Sequence, residues 1–229
     1  MMRKPLLGVV AVLLTASCNA VGTLLPQDGR RQPKFDFDVT LVDEELDEVE
    51  FDDGVTSVDV PVERERVQAR FAFGGTTRGL FQVFAEEFQF GPVSIDAVGL
   101  GGGVKAAPRL NEEESAVGLL LPWGASLSIV VGEEDDPVLD DPLLVYAELL
   151  VDVGLAGEWQ GLRAGGGVQL SSLAGAIDST TLGDPDLSGV NLGPYVEVLY
   201  KHPDFPLYGR FRSVFGDLDR QEFSVGVQF

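Results

Sequence analysis

Seven side chains in this sequence combine a reactive type with a suggestive position. Six of them, Glu148, Asp152, Arg163, Glu197, Arg210 and Arg212, share one face of alternating runs, and the seventh is the single histidine, His202. Carboxylates and guanidiniums that face one another either line a path for ions or cancel as hydrogen-bonded pairs. An imidazole acts as a base when a nucleophile lies beside it. His202 instead sits in the turn Lys201, His202, Pro203, Asp204 and reads as a structural or merely exposed residue. The glycine runs at 101–103 and 165–167 are not phosphate loops, because neither is followed by a Gly-Lys-Ser/Thr element or a helix start. They read as strand glycines. No catalytic motif and no cofactor signature emerges, so a non-enzymatic role is expected. Cys18 is the only cysteine, which excludes an internal disulfide and a cysteine-based zinc site. With 37 acids against 16 bases and a formal charge of −21, the chain repels phosphate backbones and nucleic acid is not an expected partner.

The acids are unevenly placed. Between Asp36 and Glu63 there are 12 acids and no base. Such a block self-repels and is ordinarily solvated, so residues 19–66 are read as an acidic, partly disordered segment ahead of the folded body. It is not featureless, since Phe35, Phe37, Val39 and Leu41 alternate with polar neighbours, as do Val58, Val60 and Val62, and a strand or two can form there. A dedicated calcium loop is not expected, because the ligand spacing and central glycine are missing. A second acidic run, residues 132–142, holds Glu133, Glu134, Asp135, Asp136, Asp140 and Asp141 and suits weak, non-selective binding of a divalent cation.

The elements that must position these groups are strands. From residue 67 onward short runs alternate apolar and polar residues between glycine, proline and acidic turns. The clearest run is Val145, Ala147, Leu149, Val151, Val153 and Leu155, set against Tyr146, Glu148, Asp152 and Gly154. Nine candidates follow: 67–73, 80–90, 93–105, 115–131 (interrupted by Pro122), 145–155, 162–170, 195–200, 207–215 and 223–229. Most are longer than the ~5–6 residues of an ordinary strand and suit the ~9–11 residues of a tilted membrane-crossing one. The charged face makes the same point. In a soluble sandwich Glu148, Asp152, Arg163, Glu197, Arg210 and Arg212 would stand in the core, whereas in a membrane barrel they fill a polar lumen while the apolar set meets lipid. They then form either a conducting pore or a plug of ion pairs, and a narrow barrel is generally filled by side chains.

The N-terminus reads as a processing segment, with Arg3 and Lys4 ahead of the apolar run 6–14. That run is too short to span a bilayer as a helix. The residues Leu14, Thr15, Ala16, Ser17 and Cys18 resemble a bacterial lipoprotein signal, which implies lipidation of Cys18. Threonine stands where leucine is commonest, so ordinary cleavage after Ala20 is the alternative. The division expected is a signal peptide over 1–18, the acidic segment over 19–66 and a barrel over 67–229.

Together with the alternating strands and a last strand ending on Phe223, Val225, Val227 and Phe229, this signal makes the chain resemble the small outer-membrane β-barrels of Gram-negative bacteria, of the OmpA and OmpW type. The resemblance implies an all-β, antiparallel up-and-down transmembrane barrel of 8 to 10 strands. It also implies Phe229 as part of an insertion signal read by the barrel assembly machinery, outer-membrane lipid as the surrounding partner, and a structural or surface-interaction role with narrow solute passage as a variant. With the chain ending on the periplasmic side, residues 132–142 and 171–191 fall outside, and the turn at 156–160 and His202 fall inside. Trp159, Tyr200, Phe205 and Phe229 collect at the inner boundary. Two details fit less well: nine strands is odd, and the connection at 105–114 is long for the periplasmic side. The alternative function is a lipid-anchored periplasmic soluble β-barrel that binds a small apolar ligand.

Overall fold

Alternating side chains bring ten long strands edge to edge until the first meets the last. The computed structural model describes residues 34–52, 57–91, 93–112, 114–133, 142–178, 186–216 and 218–228. Its strands are β1 (Lys34–Asp52), β2 (Ser57–Gly74), β3 (Thr77–Phe90), β4 (Val93–Ala106), β5 (Gly118–Leu120), β6 (Trp123–Glu133), β7 (Leu143–Trp159), β8 (Leu162–Asp178), β9 (Asp186–Lys201), β10 (Leu207–Val214) and β11 (Leu218–Gln228). All but β5 form one antiparallel ring in chain order, closed by β1 on β11. The three-residue β5 continues the edge of β6 below Pro122 and pairs with β7. We call the end with the β1–β2, β3–β4, β6–β7, β8–β9 and β10–β11 connections the upper end. The other end holds the two termini of the barrel.

The ring is staggered. A hydrogen-bonded row that starts at Leu41 and runs through β2, β3, β4, β6, β7 and β8 reaches Asp186 on β9. Followed the other way, through β11 and β10, it reaches Val198, so the register advances by 12 residues in a circuit. Such a shear on ten strands corresponds to a strand tilt of about 35–45°. At the lower end β7 and β8 join through Gln160 and Gly161, both with positive φ (46° and 83°), the backbone a two-residue turn needs to match the strands' twist. Above the tip of the short β10–β11 hairpin, β9 pairs directly with β1 through Glu50 and Ser188, Phe51 and Leu187, and Asp52 and Asp186.

The polarity is inverted relative to a soluble protein. Among the described residues 33 large apolar side chains are exposed, including Val151, Val153 and Leu155 on β7, Val196 and Val198 on β9, and Phe223 and Val225 on β11. A continuous apolar wall of that extent lies far beyond the few hundred Å² a soluble monomer tolerates. Inside, Arg64, Arg66, Glu44, Glu86, Glu148 and Arg220 are all buried.

Two sequence expectations change. The barrel begins at Lys34 rather than residue 67, because the segment read as acidic and partly disordered supplies β1 and the upper half of β2. Its acids separate by parity: Asp36, Asp38 and Glu44 point inward and find arginines on β2 and β3, while Asp43, Glu45, Glu63 and Glu65 point outward. β1 is also the tenth strand that makes the count even. The candidate at 115–131 divides at Pro122 into β5 and β6, since proline offers no N–H to the ladder. Cys18, Phe229 and residues 134–141 lie outside the described residues.

Candidate functional site

The lumen is built in tiers, and the inward positions of each strand change character with height. Near the upper end they are apolar. Leu46, Val49, Val62, Phe88, Ile95 and Leu144 have no measurable exposure and belong to one packed cluster with Ile177 and Leu187. A β-bulge between Leu46 and Val49 shifts the parity of β1, so that both residues point inward.

Directly beneath lies a layer of ion pairs. Arg64 donates to Glu148 (2.8 Å) and pairs with Glu44; Arg66 donates to Glu86 (2.8 Å) and to the other oxygen of Glu148 (2.9 Å). The Tyr146 hydroxyl donates to Glu86 and accepts from Arg64. Arg220 bridges Glu44 (3.2 Å) and Glu222 (2.9 Å). Arg66 also lies over the Phe84 ring, 4.0 Å from its centroid, a cation-π contact in a dry setting. Charges taken out of water at this depth are tolerable only when they are paired; every guanidinium here has a carboxylate partner, although Arg64 Nε and Arg66 Nη1 are buried without an acceptor in the protein. Beside it Gln68 donates to Gln82 (2.6 Å) and Gln82 to the Ser128 hydroxyl (2.7 Å), carrying the polar layer across to β6.

The lower half is different. It encloses a cavity of about 1230 Å³ lined from the rim residues Gly75, Thr76, Ala107 and Leu120 up to Gln82 and Ser126. Its walls carry further pairs: Arg70 to Asp38 (2.7 Å), Tyr208 to Asp38 (2.7 Å), Arg163 to Glu197 (2.9 Å), Arg210 to Glu222 (2.9 Å) and Arg212 to Asp152 (3.2 Å). Arg78 pairs with Asp36 near the mouth. Small residues make the room. The inward Gly154 and Gly167 are register partners on β7 and β8, and the Tyr195 ring lies against them, with the Arg212 guanidinium 4.1 Å above that ring.

The six sequence candidates all have their side chains in this lumen. Glu148 belongs to the upper ion layer, while Asp152, Arg163, Glu197, Arg210 and Arg212 cluster on the β7–β10 side of the cavity. Several partners were missed, chiefly Glu44, Arg64, Arg66, Glu86 and Glu222. A signal for two of them is present in Glu63, Arg64, Glu65, Arg66, where period two sends both arginines inward and both glutamates outward. His202 stands at the lower rim. Its Nδ1 accepts the backbone N–H of Asp204 (3.1 Å), and its ring rests between Tyr200 and Phe205, 5.0 Å from the latter's centroid, so it braces the β9–β10 turn. Trp159, Tyr200 and Phe205 are exposed at this end, and Phe73 joins them.

No family model and no curated protein matches the chain. Solved structures do. The outer-membrane protease OmpT from Escherichia coli matches at 11% identity over 90% of this chain and 99% of its own, with a TM-score of 0.45. The translocator domain of the autotransporter NalP from Neisseria meningitidis gives 12%, 97%, 96% and 0.41, and Neisserial surface protein A gives 11%, 86%, 95% and 0.35. The structures it resembles are outer-membrane β-barrels. At these identities and scores no residue, activity or ligand of theirs transfers, and the architecture rests on this chain's own strand pairing.

Proposed function

We propose that the chain is a non-enzymatic outer-membrane β-barrel, sealed at its cell-surface end and open toward the periplasm, that acts through what it anchors and presents rather than by conducting solutes. One observation carries this reading: the wall is apolar on the outside and ion-paired on the inside, the polarity a barrel needs when lipid surrounds it. Strands of 14 to 19 residues in β1–β4 and β7–β9 exceed the ~9–11 needed to cross and carry the wall past the bilayer on the upper side. The packed apolar tier supports a plug over a passage. The alternative of a soluble barrel for an apolar ligand needs an apolar internal site, and the open part of this lumen is lined by charges.

The test is membrane behaviour. Expressed with its own signal, the protein is expected to resist alkaline extraction, to shift on gels between unheated and boiled samples, and to give no conductance steps in planar bilayers. Release by alkali without detergent would sink the membrane reading; stable conductance would sink the sealed one.

A further inference from the structure

The distribution of the basic residues points to a ligand. From Phe35 onward the chain has eleven lysines and arginines, in a protein of net charge −21. Arg64, Arg66 and Arg220 lie in the buried ion layer, and the other eight line the lower cavity, Arg109 among them at its exposed rim. Against those eight stand six carboxylates, so the cavity wall carries a formal excess of two positive charges. An enclosed, low-dielectric wall with such an excess concentrates anions.

Pairing within the wall leaves donors over. Arg163 Nε, Gln169 Nε2 and Arg210 Nε are buried with no hydrogen-bond acceptor in the protein, and each is a donor; Gln169 itself is only 2% exposed. Buried donors of this kind ordinarily have a partner. Nearer the mouth, the Lys105 ammonium reaches Asp36 only at 3.6 Å, and Asp36 is already paired with Arg78. No described carboxylate lies within ion-pair distance of Lys201. These two lysines stand on β4 and β9, four places apart around a ring of ten, so one rigid group with a single charge does not reach both.

We propose that the lower lumen is a binding cup for a small multivalent oxyanion, a molecule carrying two or more phosphate or carboxylate groups, held between Lys105 and Lys201 at the mouth and the Arg163, Gln169 and Arg210 donors on the wall. The cavity, about 1230 Å³, admits such a ligand with room for water around it. The proposal rests on the closed barrel and not on which membrane holds it.

Calorimetric titration of the full mature protein, folded in detergent micelles, tests it with inorganic pyrophosphate and citrate as probes and sucrose as a neutral control. Saturable binding of one anion per barrel is expected for at least one of the two, weakened at high salt, with no binding of sucrose. The Lys105→Gln/Lys201→Gln double variant should lose at least tenfold in affinity while keeping its heat-dependent gel shift. No binding of either anion overturns the proposal, as does equal binding by the double variant. If that variant fails to fold, acylation of the wild-type lysines decides the matter. Pyrophosphate or citrate should protect Lys105 and Lys201, identified by mass spectrometry, and unchanged labelling refutes the cup. The gel shift reads the barrel separately, so its loss in the wild type would count against the fold and not against the ligand.

Discussion

Asp43 and Glu65 face each other across β1 and β2 on the outer wall, one step above Leu41 and Val67, the last apolar pair facing outward below the bulge on those strands. On β7 the outward positions stay apolar from Leu155 up to Leu143. The apolar belt is therefore shallow on the β1–β2 side and tall on the β7 side. In vesicles of lipid brominated at mid-chain, the fluorescence of a Leu41→Trp variant should be strongly quenched and that of an Asp43→Trp variant weakly. Equal quenching would remove this boundary.

Glu148 accepts from both Arg64 and Arg66 at 0% exposure. Truncation to alanine leaves two buried guanidiniums short of a counter-charge. Glu148→Ala should destabilise the barrel by about 3–5 kcal/mol. The check is the urea midpoint of reversible unfolding in lipid vesicles, and a loss below about 1 kcal/mol would show that the ion layer is not what holds the upper half together.

Val151 points outward near the middle of β7. Arginine there should cost about 2–4 kcal/mol, the cost of a cation at the bilayer midplane. Because the side chain touches no core residue, detergent micelles with a thinner apolar layer should reduce the penalty. A cost near zero in vesicles would mean that this face does not meet hydrocarbon.

Gly167 permits the close approach of Tyr195. A Cβ there would meet the Val153 carbonyl, the Gly154 backbone and, at 2.8 Å, the Tyr195 ring. Gly167→Ala should therefore destabilise by about 1–3 kcal/mol, the usual range for overpacking. Gly102 is the control, since its nearest atom would be the Leu80 carbonyl at 3.6 Å. Gly102→Ala should change the unfolding midpoint little, and equal costs at the two sites would mean that the Tyr195 contact does not set the cost.

What the sequence made legible was the wall. On β7, apolar residues at 145 to 155 and charges at 148 and 152 give both the period and the side that carries the outer apolar belt, because the outward face keeps one character over the stretch. β1 was obscured by arithmetic over a window: its acids sum to a repulsive block, yet Asp36, Asp38 and Glu44 are neutralised by Arg78, Arg70 and Arg64, which come from other strands. The apolar upper tier was hidden for a related reason. Leu144 shares its face with Glu148 and Asp152, so that face is apolar above and charged below, and a rule of one character per face averages the two. The bulge at Leu46 and Val49 then exchanges the faces of β1 partway up, which no fixed period detects. The cavity depended on inward glycines meeting across strands, a matter of register rather than of local sequence.

The direct pairing of β9 with β1 above the β10–β11 hairpin changes the girth of the wall. Below that stitch the circumference is made of ten strands; at its level β10 and β11 have ended and eight remain. Barrel diameter grows roughly linearly with strand number, and about eight strands give an interior just wide enough for side chains to fill. The tube is thus a funnel, about a fifth narrower at its upper end. Its taper accounts for the tiers: Ile177 and Leu187 stand at the narrow neck with Leu46 packed just below it, and the wide base has more room than its side chains occupy. The last hairpin is a gusset let into the wall, and its length sets the height at which the lumen closes.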